Sequence, residues 1–416
     1  MHVVLLNQAF HPDIVATAQM GRDLAEALVR RGHTVTAIAS RSMYGQKGAV
    51  LAEREEFPVA PEAPGDKGGM VRVRRVGSSL FGRAGTAARI FDFGMFYLRA
   101  AWALLTMEKP DVVVGFSTPP YIALLTLLCR FFRGSRAVYW AMDLYPEVMV
   151  PSGMLSASSP VYRLLARLHR LLVRRADATI VLGRCMQGRV LAALGQDRAK
   201  DKVVMIPVWS DEAGVTPVPR EGNRVRQEWG MGDAFVVMYS GNFGIGHDAS
   251  TVLDAMLRLK HRGDIRFIFV GGGKRRPEVE AFIREHHLSN ARYVDYQPRE
   301  RLAESLSAGD VHLISLRGGM EGLIVPSKLY GIMACARPSI FVGPESSEVA
   351  RVLAESGSGV VVREGDGAGL AGHIESYAQN VQEVQRAGAM ARRTFEERYT
   401  RRASCGAWCD LLERIP

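Results

Sequence analysis

Long apolar runs are missing from this chain. The strongest, Tyr121 to Cys129, stops well short of the roughly 18–20 residues that cross a bilayer, so no segment reads as a membrane span. Cysteine is scarce. Five residues (Cys129, Cys185, Cys335, Cys405, Cys409) with no CxxC spacing and an odd total argue against a disulfide framework. Cys405 and Cys409 share a helix face, but no nearby His completes a zinc set, and no metal site is expected. The opening MHVVLLNQAF has no basic n-region, apolar core or small-residue cleavage site. It runs straight into a strand-like segment, which predicts a cytoplasmic protein without a secretory leader. Helix-turn-helix, zinc-finger and RNP signatures are all lacking, so nucleic acid is not an expected partner. Glycine is missing from the first βα loop, Gln8 to Thr17, which weighs against a nicotinamide oxidoreductase.

What is present describes a folded chain of two or three domains: 416 residues, 47% hydrophobic and 23% charged. Lys and Arg number 53 against 43 Asp and Glu, a formal charge of +10, so anionic partners are favoured. Part of the excess is concentrated. Between Tyr162 and Arg175, Arg163, Arg167, Arg170 and Arg174 recur at helical spacing, with Leu164, Leu165, Leu168, Leu171 and Leu172 on another face. Such a helix can lie on anionic lipid, or pack on a core and turn its cations to water. A second basic segment, Val71 to Arg89 (Arg72, Arg74, Arg75, Arg83, Arg89), leads into the aromatic run Ile90 to Tyr97. It too suits an interfacial patch on the inner face of a plasma membrane, although a buried helix would read similarly.

Short apolar runs alternate with helical segments through most of the length, the pattern of parallel sheets wrapped by helices. His2–Asn7 reads as a strand, Ala18–Arg31 as a helix and Thr34–Ala39 as a strand. A polar excursion follows from about Tyr44 to Gly69. Strands are expected at Asp111–Phe116, Ala137–Ala141, Ala178–Leu182 and Lys202–Ile206, with a helix near Tyr121–Phe132. The charged, Pro/Gly-bearing connection Pro207–Asp233 marks a boundary. Beyond it, strands are expected at Phe235–Tyr239, Arg266–Val270, Arg292–Tyr296, Val311–Ser315, Ser339–Val342 and Gly359–Val362. Helices are expected at Ala249–Arg262, Pro277–His287, Arg299–Ala308 and Ser327–Ala336, and residues 366–416 read as mostly helical. The expected domains are therefore 1–206 and 207–395, with a helix over about 396–416 packing back on the first. Doubly wound sheets bind ligands at the carboxyl ends of their strands, and a cleft between the two halves is the expected site.

Three segments of the second half carry the chemistry. Ser240-Gly241-Asn242-Phe243-Gly244-Ile245-Gly246-His247 lies between a strand and a helix, where glycines let the backbone approach a ligand and a helix start presents N–H groups to an anion. Alone it is equally a tight βα turn. Gly271-Gly272-Gly273-Lys274-Arg275-Arg276 repeats the arrangement and adds three cations. Glu321 to Pro338 is the most specific: Ser327 can cap a helix whose first turn carries Lys328, aiming an ammonium and a helix end at one anion such as a diphosphate. The plainer alternative is a cap beside a solvated lysine.

Taken with Arg31-Gly32-His33 and Asp143–Glu147 (DLYPE), the motifs YSGNFG (Tyr239–Gly244), VGGG (Val270–Gly273) and VPSKLYGIMACARP (Val325–Pro338) resemble the family-4 glycosyltransferases of the GT-B fold. The likeness is strongest to bacterial enzymes of capsule, O-antigen and exopolysaccharide synthesis of the fucosamine-transferase type. It spans nearly the whole chain and implies two tandem Rossmann-like α/β domains facing a central cleft, with the acceptor on the N-terminal half. It further implies a nucleotide-sugar donor on the C-terminal half, retention of anomeric configuration and no essential metal. Donor-binding positions carried over are Gly241, Asn242, Gly244, His247, Gly272, Lys274, Tyr296, Pro326 and Ser327; Lys328, Glu321 and Asp143 are the catalytic candidates. The chain departs from the family in three ways. Gly331 stands where a second, ribose-binding glutamate is usual; Glu321 precedes it by ten residues rather than eight; and the frequent Arg/Lys pair of the first glycine loop is replaced by Asn242 and His247. Neutralisation of the diphosphate then falls to Lys328, assisted by Lys274.

In the first half, Thr118-Pro119-Pro120 and Asp143 each follow a strand. Asp143 can orient or deprotonate an acceptor hydroxyl; otherwise it caps a helix or pairs with an arginine. His11 and Asp13 can reach the same space, though a lone loop histidine is more often incidental. Tyr296 either supports the donor base or is simply a buried tyrosine with a satisfied hydroxyl. The expected activity is transfer of a hexose or N-acetylamino sugar to a lipid-linked or saccharide acceptor. A catalytically weak sugar-nucleotide-binding partner subunit and a 2-epimerase are the rivals.

Overall fold

The computed structural model describes residues 1–43, 50–77, 86–195 and 200–415. It divides into two compact units, Met1–Pro207 with Ser404–Pro416, and Val208–Ala403. In chain order the first unit contains β1 (His2–Leu6), α1 (Ala16–Arg30), β2 (Thr34–Ala39), β3 (Arg54–Val59), β4 (Gly69–Arg75), α2 (Thr86–Thr106), β5 (Val112–Phe116), α3 (Leu124–Arg133), β6 (Arg136–Ala141), α4 (Pro160–Arg175), β7 (Ala178–Val181), α5 (Arg184–Leu194) and β8 (Val203–Met205). The second contains α6 (Arg224–Glu228), β9 (Phe235–Asn242), α7 (Ser250–Arg258), β10 (Ile265–Gly272), α8 (Arg276–Glu285), β11 (Ala291–Val294), α9 (Leu302–Ser307), β12 (Val311–Ser315), α10 (Lys328–Ala334), β13 (Ser339–Val342), α11 (Glu348–Ser356), β14 (Gly359–Val362), α12 (Gly367–Gln379) and α13 (Val381–Arg398). Helix α14 (Arg401–Arg414) ends the chain.

The first sheet has the order β3-β4-β2-β1-β5-β6-β7-β8 and is parallel except for β3. Its inner strands are apolar on both faces, as burial between two helical layers requires: all of β5 and four of five residues of β1 are buried. Val4, Leu6, Ile38, Leu104 and Val113 form the core under α2. Trp140 of β6 meets Phe116 at 4.5 Å and Trp408 of α14 at 4.4 Å, centroid to centroid. The Arg31-Gly32-His33 motif serves this packing. Gly32 (φ 87°) closes α1, while Arg31 and His33 reach Glu413 at 3.0 and 2.9 Å.

Two strands occupy ground read as a polar excursion and a basic surface segment. β4 alternates Val71 and Val73, both buried, with Arg72 and Arg74, and β3 pairs with it antiparallel as a charged edge. Arg72 and Arg75 are neutralised by Glu56 (3.4 Å) and Glu55 (2.8 Å) on β3, and Arg74 donates to Ala103 O. Arg72, Arg74 and Arg75 are therefore each partnered within the fold. Arg83 and the side chain of Arg89 lie outside the described residues.

The second sheet is parallel, with the order β11-β10-β9-β12-β13-β14. An aromatic ladder of Tyr239, Phe243, Phe269 and Tyr293 lies in its core, with Tyr239 and Phe243 stacked at 4.2 Å. Between β13 and β14 sits α11, absent from the sequence reading although Ser347 caps it through Ala350 N (3.2 Å) and Gly357 (φ 63°) ends it.

Candidate active site

In the second sheet, chain order runs outward from β9 through β10 to β11 on one side and from β12 through β13 to β14 on the other. The switch point lies between β9 and β12, so the loops leaving their carboxyl ends diverge and leave a crevice. All three sequence segments gather there. Phe243 N donates to Gly272 O (2.7 Å) and Arg275 N to Phe243 O (3.0 Å), which ties the first glycine loop to the second. Arg317 N donates to Gly246 O (2.9 Å), and a Cβ on Gly246 would stand 2.9 Å from Ile324 Cδ1, which places the third segment against the first.

Lys328 is the centre of this arrangement. Its Nζ is buried, has no hydrogen-bond partner among the described residues, and sits 3.6 Å from the centroid of the Tyr239 ring. A Cβ on Gly241 would be 3.6 Å from Lys328 Cε and 3.8 Å from Nζ. Burial holds the ammonium well below the ordinary lysine range. His247 is next to it in charge terms: burial first and Lys328 second push its pKa down to about 3. His247 Nδ1 lies 2.5 Å from Ser315 O; a carbonyl can only accept, so Nδ1 carries the proton and Nε2 remains a lone-pair acceptor. Tyr239, not singled out as a site residue in the sequence, supplies the π face for the cation; its place directly before the glycine loop was the available signal.

The glycines are held by close contacts rather than by turn geometry alone. Strands β9 and β10 run into the loops, pairing Gly241 with Gly271 and Asn242 with Gly272. Gly271 and Gly273 have φ of 125° and 123°. A Cβ on Gly271 would fall 2.5 Å from Gly241 O and 3.0 Å from the Tyr296 ring; one on Gly272 would fall 3.1 Å from the same ring. Tyr296 is thus a half-exposed platform over the second loop (50% exposed), not a buried tyrosine, and β11 ends two residues before it.

Several expectations are corrected. The start of α7 is closed: Thr251 N donates to Asp248 Oδ2 (3.0 Å), so the helix after the first loop does not hold that N–H open for an anion. Ser327 occupies the cap position of α10 in a helical conformation (φ −66°, ψ −18°), and its hydroxyl makes no cap bond. Arg275 is paired with Glu278 (2.9 Å), and Arg276 with Glu280 (2.8 Å) and Asp295, so of the three loop cations only Lys274 is exposed without an ion pair among the described residues. Pro326 is buried before α10, and Asn242 and Gly244 adjoin, a Gly244 Cβ falling 3.2 Å from Asn242 Nδ2. Glu321 bridges to Ile324 in the segment that packs on Gly246. A Cβ on Gly331 would face Leu306 at 3.2 Å and Ser210 Oγ at 3.9 Å, so this glycine lets α9 approach α10.

In the first unit, the switch point lies between β1 and β5. Gln8 N donates to Thr118 O (3.0 Å) across it, and Ser117 Oγ accepts from the amides of Met142 (3.2 Å) and Asp143 (3.1 Å). No described residue pairs with the Asp143 carboxyl, neither a cap nor an arginine; burial raises it to about 6. His11 is packed against Phe57 and Arg22 (2.9 Å), with burial and Arg22 depressing its pKa. Among the described residues, no group of three or more His, Cys, Asp or Glu could hold a metal ion, and no helix is long and apolar enough to cross a membrane.

The family model described as "Glycosyl transferase 4-like domain" matches residues 17–209, and "Glycosyl transferases group 1" matches residues 234–380. The chain is 30% identical over 315 residues to the probable glycosyltransferase WbjE of Pseudomonas aeruginosa, covering 75% of this chain and 76% of the relative. It is 23% identical to the putative colanic acid biosynthesis glycosyl transferase WcaI of Escherichia coli K12, covering 87% and 88%. Among solved structures, Anabaena HepE in complex with UDP-glucose superposes with a TM-score of 0.72 over 99% of both chains at 13% identity. The chain belongs to the family-4 glycosyltransferases of the GT-B fold.

Proposed function

We propose that the protein is a retaining enzyme of cell-surface polysaccharide assembly, transferring a hexose or N-acetylamino sugar from a nucleoside diphosphate to a hydroxyl of a lipid-linked or saccharide acceptor. The supporting observation is Lys328: a buried ammonium lacking any hydrogen-bond partner among the described residues, at the point where three glycine-bearing segments meet. A diphosphate placed against Nζ supplies the missing counter-charge, and the negative charge that grows on the leaving oxygen is stabilised in a site sheltered from water. The acceptor oxygen adds to C1 on the face from which the diphosphate leaves as the C1–O bond breaks, which retains the configuration, and its proton passes to the departing phosphate oxygen. His247, held neutral, offers Nε2 to a sugar hydroxyl, and Tyr296 lies beside the second loop as a platform for the base. The like-folded HepE is a UDP-glucose complex, in keeping with a nucleotide sugar as donor.

The test is incubation with UDP-, GDP- and dTDP-sugars, with and without polyprenyl-diphosphate saccharides. Release of nucleoside diphosphate that depends on acceptor and is lost in Lys328→Ala supports the assignment, and NMR of the product reads the retained anomeric configuration. Tight binding without release would instead mark a partner subunit. Because Lys328 takes the diphosphate charge in this proposal, EDTA is expected to leave turnover unchanged; loss restored by Mg²⁺ would overturn that part.

A further inference from the structure

We propose that the outer face of α2, α3 and α4 docks the protein on an anionic lipid bilayer, an inference that rests on the lipid-linked acceptor reading above. The three helices lie side by side, α2 touching α3 and α3 touching α4. Each turns large apolar side chains to solvent. On α2, Phe91, Leu98 and Trp102 share one face at spacings of seven and four residues, with Leu98 68% and Trp102 69% exposed. At the end of α3, Phe131 and Phe132 are 82% and 63% exposed. On α4, Leu164 and Leu171 are exposed at 56% and 45%. Scattered exposed leucines are ordinary, but aromatic and aliphatic side chains on three adjoining helices form a patch that a water-soluble surface rarely carries.

The charge around that patch selects its occupant. From Phe91 to Thr106 of α2, and through all of α3 and α4, there are eight arginines, no lysine and one acid, Asp92. Elsewhere in the unit, cations such as Arg31, Arg72 and Arg75 are paired with carboxylates, and on this face Arg130 of α3 pairs with Asp177. By contrast, Arg163, Arg167, Arg170 and Arg174 on α4 are exposed and have no carboxylate partner among the described residues. Arginines ringing Trp and Phe suit a headgroup layer: guanidinium groups bind phosphate oxygens while the rings enter the acyl boundary. A second copy of the chain is disfavoured as the occupant, because a two-fold contact would set this cationic face against itself. The exposed rings stand on α2 and α3 and the exposed leucines on α4, an array spread over three helices that a deformable surface accommodates.

The experiment is co-sedimentation of the full chain with vesicles of phosphatidylglycerol and phosphatidylethanolamine, and with vesicles of phosphatidylcholine alone, at about 0.15 M and 0.5 M salt. Binding is expected to be about tenfold or more tighter to the anionic vesicles and to weaken at the higher salt. Phe131→Ser with Phe132→Ser, and separately Arg167→Gln with Arg174→Gln, are each expected to reduce partitioning about tenfold. Their thermal shift with UDP should match that of the parent protein, which separates loss of docking from loss of the donor site. Absence of vesicle binding, equal binding to both lipids, or unaltered binding by both variants would overturn the proposal. So would a dimer in solution that the aromatic variant dissociates without any vesicle binding by the parent, since the face would then be a subunit interface.

Discussion

Replacing Lys328 by Met separates what this residue does for the fold from what it does for a ligand. Its ammonium is buried without a hydrogen-bond partner among the described residues, which costs at least about 1–3 kcal/mol, and the Tyr239 ring 3.6 Å away returns up to about 2 kcal/mol. The free variant is therefore expected to be as stable as the parent or up to about 2 kcal/mol more stable, a rise in Tm of at most about 8 °C. The pH dependence has a definite sign. A lysine whose folded pKa is depressed binds fewer protons than its unfolded counterpart, so the parent gains stability as pH rises from the lowered folded value toward the ordinary lysine range, and the difference from Met narrows.

With nucleotide the order reverses. Removing one partner of a buried charged contact costs about 2–5 kcal/mol, and 3 kcal/mol is roughly 150-fold in affinity. At UDP about 100-fold above its Kd the parent gains about 2.7 kcal/mol, while the variant at the same concentration gains only about 0.3 kcal/mol. For a unit of about 200 residues this shrinks the UDP-induced shift from about 5–10 °C to about 1 °C. Differential scanning calorimetry with and without UDP reads both effects. A variant that loses several kcal/mol without ligand would make Lys328 a structural residue, and one that keeps the full UDP shift would remove it from the donor site.

Asp143→Asn is expected to stabilise the protein at pH 8 by at most about 3 kcal/mol, because a carboxyl raised to about 6 contributes fully below its ordinary value near 3.8 and loses that contribution as pH climbs through 6. The parent's kcat/KM should fall below pH 6 if the carboxylate assists the acceptor, and an Asn variant with unchanged turnover and pH profile would end that role. Gly273→Ala puts a Cβ 2.6 Å from Phe243 N at φ 123°, and is expected to cost about 2–4 kcal/mol in urea titrations and to abolish the UDP shift. Trp408→Ala empties a fully buried site against Trp140 and should cost about 3–5 kcal/mol; a loss under 1 kcal/mol by denaturant titration would show that α14 contributes little to the first unit.

The doubly wound architecture was legible because inner parallel strands are apolar on both faces and helices amphipathic, a contrast that Val112–Phe116 and Ala16–Arg30 display in their composition. β3 and β4 were not, because an edge pair needs apolar residues on one face only, and the arginines and glutamates filling the other mimic a solvated segment. The glycine loops could be placed by their position after strands, yet what holds them glycine could not: the Tyr296 ring and the Gly241 carbonyl come from elements tens of residues away. The same limit governs charge. Lys274, Arg275 and Arg276 look equivalent in the sequence, and only folding divides them, through Glu278, Glu280 and Asp295. Lys328 escapes such pairing because the groups around it are a π face, a neutral imidazole and glycine backbone, none of which carries negative charge. A cation kept uncompensated in a buried site is costly for the protein by itself, and that cost is recovered only when an anion arrives. Its retention beside three converging loops is therefore better explained by ligand binding than by stability.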